Sequence, residues 1–263
     1  MLRRGSAFKG YSIEATDGKV GTVADALFDD ATWQLRWLVV DTGGWLTGRK
    51  ILIHPSSLEQ PDLEGRAFPV KLTREKVEAS PGIAEDEPVS LQMDHDMYRY
   101  YWPTDGSFGG AGIVAPVILP SSPSASNGKA DRHLRSVAEV SGYAIHAVDG
   151  HIGHLETFLI DDEAWAIRYL VVDTVNWWMG KHVLVAPSTV KEIDWLQRFV
   201  RVDLTCYKIK GSPAWENTGT IDKAYEHILR IYYGWVDPGH IAKAPHAPPV
   251  AAPADANAIK EPV

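Results

Sequence analysis

The chain has 263 residues, room for two domains at ~100 to 200 residues each. With 45% hydrophobic and 23% charged residues, wholesale disorder and fibrous or coiled-coil rods are excluded. Thirty-four acidic against 26 basic residues leave a formal charge of -8, which argues against nucleic acid and anionic lipid as partners. One cysteine excludes an intramolecular disulfide framework and suits a reducing, cytoplasmic setting. Neither a signal peptide nor a membrane span is expected, because the longest apolar run, residues 113–119, is interrupted by Pro116 and is too short to cross a bilayer. Peripheral membrane association stays open.

In chain order, Asp17-Gly18 lies between Tyr11-Ser12-Ile13-Glu14 and Lys19-Val20-Gly21-Thr22-Val23, the pattern of a tight hairpin. Residues 29–32 read as a turn, and Leu35-Arg36-Trp37-Leu38-Val39-Val40 as a strand. Gly43, Gly44 and Gly48 break the chain before a strand at Lys50-Ile51-Leu52-Ile53, and a further short strand is expected over 67–72. Short strands with Gly and Asp turns predict a small antiparallel barrel. A helical turn capped by Thr73 follows, then a helix over 90–100.

At the offset that takes Gly10 to Gly142, residues 8–102 match the second half without a gap, with roughly a third of positions identical. Leu38-Val39-Val40-Asp41-Thr42 recurs as Leu170-Val171-Val172-Asp173-Thr174, and Trp45, Gly48 and Pro55 recur as Trp177, Gly180 and Pro187. The helix over 90–100 has its counterpart at 221–233. The expected organisation is therefore a first domain over 1–102, a flexible Pro- and Ser-rich linker over 103–129, a second domain over 130–237, and a disordered Ala- and Pro-rich tail over 238–263. The two domains need not be rigidly docked by this linker, and cleavage within it is expected to release two folded halves.

The string from Arg36 through Trp37-Leu38-Val39-Val40-Asp41-Thr42-Gly43-Gly44-Trp45 to Ile53, with its echo from Arg168 to Val185, resembles the PRC-barrel family, named for the cytoplasmic part of the photosynthetic reaction centre H subunit. Leu72-Thr73-Arg74, Ser80-Pro81 and Tyr100-Tyr101-Trp102 look like the extension that often follows this barrel in bacterial stand-alone members. The resemblance implies a mainly β fold of two small antiparallel barrels, each followed by a short helical extension. It further implies an adaptor or assembly module that binds a protein partner or itself, without catalytic residues or cofactors. A peripheral role in a reaction-centre-like or stress-related membrane-associated assembly is an alternative, although no counterpart of the H subunit's membrane helix is present. The copies differ where Gly43-Gly44 becomes Val175-Asn176 and Arg74 becomes Cys206.

Several residues invite chemical readings. Val39-Val40-Asp41-Thr42-Gly43 has the form of an aspartic-protease signature, and Asp173 supplies a second carboxylate. The competing reading, which we favour, has both aspartates accepting hydrogen bonds in the turns after their strands. His146, His151, His154 and His182 could ligate zinc or nickel, but His151 and His154, three apart on a strand, are expected on opposite faces, and a wet surface is the simpler expectation. The Gly-rich stretch over 106–112 lacks the Lys-Ser/Thr of a phosphate loop, and Cys206 is expected to be buried and inert. Partner contact is assigned to Trp45 and Arg49 in the first copy, and to Trp177, Trp178 and Lys181 in the second. The alternative is that these rings fold back into the core.

Overall fold

The computed structural model describes residues 1–46, 48–80, 82–83, 133–174, 181–216, 221 and 223–235. The first half runs β1 (Leu2–Arg4), β2 (Ser12–Ala15), β3 (Gly18–Asp29), β4 (Leu35–Asp41), β5 (Lys50–Ile53), β6 (Ala67–Pro69), α1 (Arg74–Glu78) and β7 (Gly82–Ile83). The second runs β8 (Leu134–Ser136), α2 (Val137–Val140), β9 (Ala144–Ala147), β10 (Gly150–Asp161), β11 (Ala166–Asp173), β12 (His182–Val185), β13 (Val190–Asp194), β14 (Phe199–Val202), α3 (Cys206–Gly211) and α4 (Lys223–Tyr233). The expected linker and tail, and the expected helix over 90–100, lie outside the described residues.

The fold is mainly β, and the described strands form two sheets. One has the order β6-β2-β3-β4-β5-β7 and the other β12-β11-β10-β9-β14-β13. The expectation of purely antiparallel, closed barrels is corrected here. β2 pairs with β6 and β9 with β14 in parallel, because long connections return each later strand beside the first strand of its hairpin. Among the described residues neither hydrogen-bonded path closes; in the first sheet the ladder beyond β5 continues to β7 and does not return to β6. The hairpin that joins β2 to β3 turns at Asp17-Gly18, as expected.

β3 and β10 are the spines of the two sheets, each 12 residues long. Both carry two register shifts at matching places, Val23/Asp25 and Leu27/Phe28 in one, Leu155/Thr157 and Leu159/Ile160 in the other. Such bulges bend and twist a strand, so each spine pairs with its hairpin partner along its first half and turns away along its second. Gly21 and Gly153 lie where the spine passes the carbonyls of Asp41 and Asp173 too closely for any Cβ.

What occupies the freed second half is a strand from the other copy. β1 pairs with β10, Leu2 opposite Asp161 and Arg4 opposite Leu159, and β8 pairs with β3, Leu134 opposite Asp29 and Ser136 opposite Leu27. The copies thus exchange their first strands reciprocally. Arg3 donates to Asp162 at 2.5 Å, and Arg135 pairs with Asp30 at 3.0 Å. Asp30 also bonds His133 at 2.7 Å, yet burial pushes its carboxyl upward. Between the exchanged strands the two copies join edge to edge. The Leu35 amide donates to the Trp165 carbonyl, and the Ile167 amide to that of Trp33, both at 2.8 Å. Phe28 meets Phe158 at 5.1 Å between ring centroids, and Phe8 meets Trp165 at 5.7 Å.

One apolar core runs through both halves. Phe8, Phe28 and Phe158 are at most 1% exposed. At about 1.5 to 3 kcal/mol for each buried large apolar side chain, separating the copies would forfeit an amount comparable to a whole domain's net stability of about 5 to 15 kcal/mol. Heating is accordingly expected to unfold both halves in one cooperative transition. A chain cleaved within residues 103–129 should still elute as a single particle. Two resolved melting transitions, or fragments that elute apart, would contradict the shared core.

One half-buried imidazole makes the fold sensitive to acid. After β5, the ring of His54 packs edge-on against Trp37 at 5.3 Å, and its Nδ1 accepts the Ser56 amide at 3.2 Å, capping the turn over Pro55–Ser57. Burial, helped by the Arg36 guanidinium, pushes its pKa down to about 4 from 6.5. The unfolded chain therefore binds a proton below pH 6.5 that the folded chain refuses until about pH 4. Stability is full above this window and falls as the pH drops through it, by at most ~3 kcal/mol and by less after solvent screening. His54→Ala, which installs the residue that Ala186 supplies at the matching turn, should flatten the dependence of melting temperature on pH between 6.5 and 4.

Candidate functional site

The repeated loop between β4 and β5 is tied at its base by threonine. Both the amide and the hydroxyl of Thr42 donate to the Arg49 carbonyl, the hydroxyl at 2.7 Å, and Thr174 does the same to Lys181. Asp41 ends β4, and its Oδ1 accepts the Gly43 amide at 2.8 Å, the turn role favoured for it over a catalytic one. Gly43 and Gly48 take left-handed φ values of 58° and 74°, with open space where side chains would be. On this loop Trp45 is half-buried. It packs on the core margin, and the Arg74 guanidinium lies 4.4 Å from its ring centroid.

The two loop cations have an occupation that sequence reasoning missed. Arg49 donates to the carbonyls of Glu78 and Ser80 at the end of α1, the first at 3.3 Å. Lys181 donates at 2.9 Å to Lys210, and also to Ser212, at the end of α3. Each cation therefore satisfies carbonyls that a helix terminus leaves open and lies at the negative end of its dipole. Burial holds the Lys181 ammonium below its usual range. The opposite ends of these helices are matched as well, with Thr73 and Thr205 as caps and with Asp17 and Asp149 accepting the amides of Arg74 and Cys206. Arg49 and Lys181 thus tie the end of each loop to the helix that follows, and the cation that lies over the Trp45 ring is Arg74. Trp177 and Trp178 lie outside the described residues.

Asp41 and Asp173 end strands of different sheets, and Asp173 lies 3.8 Å from the imidazole of His154. The histidines divide among separate partners: His146 lies opposite His151 with rings 5.7 Å apart and stacks on Phe199 at 4.8 Å, while His182 pairs with Glu156 at 3.0 Å. Among the described residues no three potential ligands converge on a metal position. The expectation that His151 and His154 face opposite ways is corrected, because the register shift at Gly153 leaves both exposed. Cys206 is buried, and burial pushes its thiol upward, as an inert residue requires.

Large apolar side chains left in solvent are the feature that sequence reasoning overlooked. Trp195 and Leu196, at the tip of the β13–β14 hairpin, are 57% and 74% exposed, and Tyr207 on α3 is 85% exposed. On α4, Leu229 and Tyr233 face inward, Tyr225 donates to the Pro213 carbonyl at 3.1 Å, and Tyr232 donates to that of Lys208 at 2.7 Å. Burial raises the Tyr225 phenol to about 12. Ile228 and Ile231 lie on the outer side, 53% and 68% exposed. The signal was available: α4 carries two apolar rows, 225/229/232 and 228/231, where a one-faced surface helix has one.

Residues 2–77 match the family model of the PRC-barrel domain. A Deinococcus radiodurans protein described as an uncharacterized protein is 33% identical over 75 residues, which cover 28% of this chain and 27% of that relative. The chain thus aligns with about a quarter of the relative's length. No described helix is long and apolar enough to cross a membrane. The matched segment takes in β1 to β6 and most of α1, the elements that hold the Trp45 loop and one side of the seam, and with it the chain carries a PRC-barrel domain over residues 2–77.

Proposed function

We propose that this protein is a non-catalytic cytoplasmic adaptor built from two barrel-like PRC-barrel domains in tandem, each followed by a short helical extension, and that it binds a protein partner. The observation that supports this most is the outer row of α4. A helix that already fills its docking site with Tyr225, Leu229, Tyr232 and Tyr233 still presents Ile228 and Ile231 to solvent, with Tyr207 also exposed on α3. Exposed apolar side chains grouped on a rigid element are typical anchors of protein interfaces. The Trp45 loop is the corresponding candidate on the first copy, with Arg49, and Lys181 on the second copy, as positioning groups and Trp177 and Trp178 as the second pair of rings.

The acidic balance and the absorption of Asp41, Asp17 and Asp149 into turns and helix caps favour an interaction role over hydrolysis. Affinity capture with mass spectrometry, comparing the native chain with Ile228→Asp/Ile231→Asp, tests the reading. The expected outcome is loss of the captured partner, with a stability change within about 0.5 kcal/mol, as for substitutions at exposed positions. Trp45→Ala should weaken capture and also destabilise the fold by ~1 to 2 kcal/mol, because the ring is only half-exposed. An unchanged set of captured proteins in both variants would exclude these surfaces.

A further inference from the structure

We propose that the strand-exchange seam is also a self-association site, at which the first half of one molecule pairs with the second half of another to give a closed, reciprocally exchanged dimer. The seam is self-complementary in the manner of a two-fold interface. Both arms begin Leu-Arg, as Leu2-Arg3 and Leu134-Arg135. Each lies antiparallel on the far half of a spine strand, and each arginine meets an aspartate at the same place, Asp162 or Asp30. The central contacts repeat the same symmetry, Leu35 to Trp165 and Ile167 to Trp33.

Every one of these contacts joins one copy to the other. An arm, ring or carbonyl supplied by a second molecule would be chemically identical to the one supplied in cis. The seam also cannot stay open, because Phe28 and Phe158 would be left in water. A half that loses its partner must find another, and in cis that partner is the one joined to it by the same chain. Covalent linkage converts pairing into an intramolecular event, with effective concentrations on the order of 1 mM typical of short flexible linkers. Pairing in trans should therefore appear when chains fold together at high concentration or when cis pairing is penalised. This inference does not depend on the adaptor reading, which concerns the outer surfaces.

A charge swap in the full-length chain tests it. In Arg135→Asp, two carboxylates face each other across the seam in cis. In Asp30→Arg, two guanidinium groups and His133 do so. Unfolded and refolded together, the two variants can restore both pairs only by crossing over: the native Asp30 of one chain meets the native Arg135 of the other, and the two introduced side chains, of opposite charge, meet each other. The expected result is a particle of twice the 29.0 kDa monomer mass, containing both variants and enriched about tenfold or more over either variant refolded alone. A mixture that yields only the monomers of the separate samples would overturn the proposal. Should either variant fail to fold, wild-type chains carrying two different tags can be refolded together. Mixed-tag dimers that increase with refolding concentration are expected, and none at concentrations up to about 1 mM would be decisive against trans pairing.

Discussion

Burial of aromatic surface where the two copies cross is the interaction on which the rest of this structure depends. Each spine strand bends away from its own hairpin partner at a bulge, and the bend would expose an edge and a set of rings if the other copy did not supply an arm. The ion pairs of Arg3 and Arg135 give the arms their register, but both pairs are largely buried, so the cost of taking the charges out of water offsets much of their attraction. The apolar contribution from Phe8, Phe28 and Phe158 is several times larger. The same burial sustains local strain. Trp33 and Trp165 hold left-handed φ angles of 61° and 50°, unfavourable for bulky residues. Trp33 stacks on Phe28 at 5.6 Å, Trp165 packs between Phe8 and Phe68, and both carbonyls accept a hydrogen bond from the opposite copy. The turn geometry and the seam therefore stand or fall together.

Much of each copy was legible locally. The Asp17-Gly18 hairpin, the β4 run ending at Asp41, β5 at Lys50–Ile53 and the Thr73-capped helix all carry their instructions within a few residues. What was not legible depends on pairing across the duplication. Ala24-Asp25-Ala26 has little intrinsic preference for a strand, yet it lies within β3, which β8 extends and fixes from more than 100 residues away. The arms themselves, three residues each, are too short to show any alternation. Closure failed as an expectation for a related reason, since β6 and β14 return in parallel beside their hairpins after long connections whose geometry no local pattern encodes.

For the candidate site the same division holds. A cation flanking a tryptophan reads as a partner-binding pair, and only the placement of the α1 and α3 termini shows that Arg49 and Lys181 are engaged by carbonyls. The equivalence of the two is informative, because an arginine and a lysine perform the same bracing with different donor geometry. By contrast, the outer row of α4 follows from helical periodicity alone and was legible in principle.

Comparison of the two copies separates what the fold requires from what a partner could read. Residues at the seam and in the loop base are held in common: the Leu-Arg arms, Asp30 and Asp162, Trp33 and Trp165, Thr42 and Thr174. The outer surfaces diverge. Leu63-Glu64, with Leu63 43% exposed, becomes the more exposed and more apolar Trp195-Leu196 at the matching hairpin tip. Arg74, which covers the Trp45 ring, becomes the buried Cys206. A duplicated chain that needed both copies for one symmetric task would have kept both exteriors alike. Retention of the interior contacts beside divergence of the tips and loops points to a scaffold in which the first copy supports the second, and the second carries the larger share of exposed apolar surface.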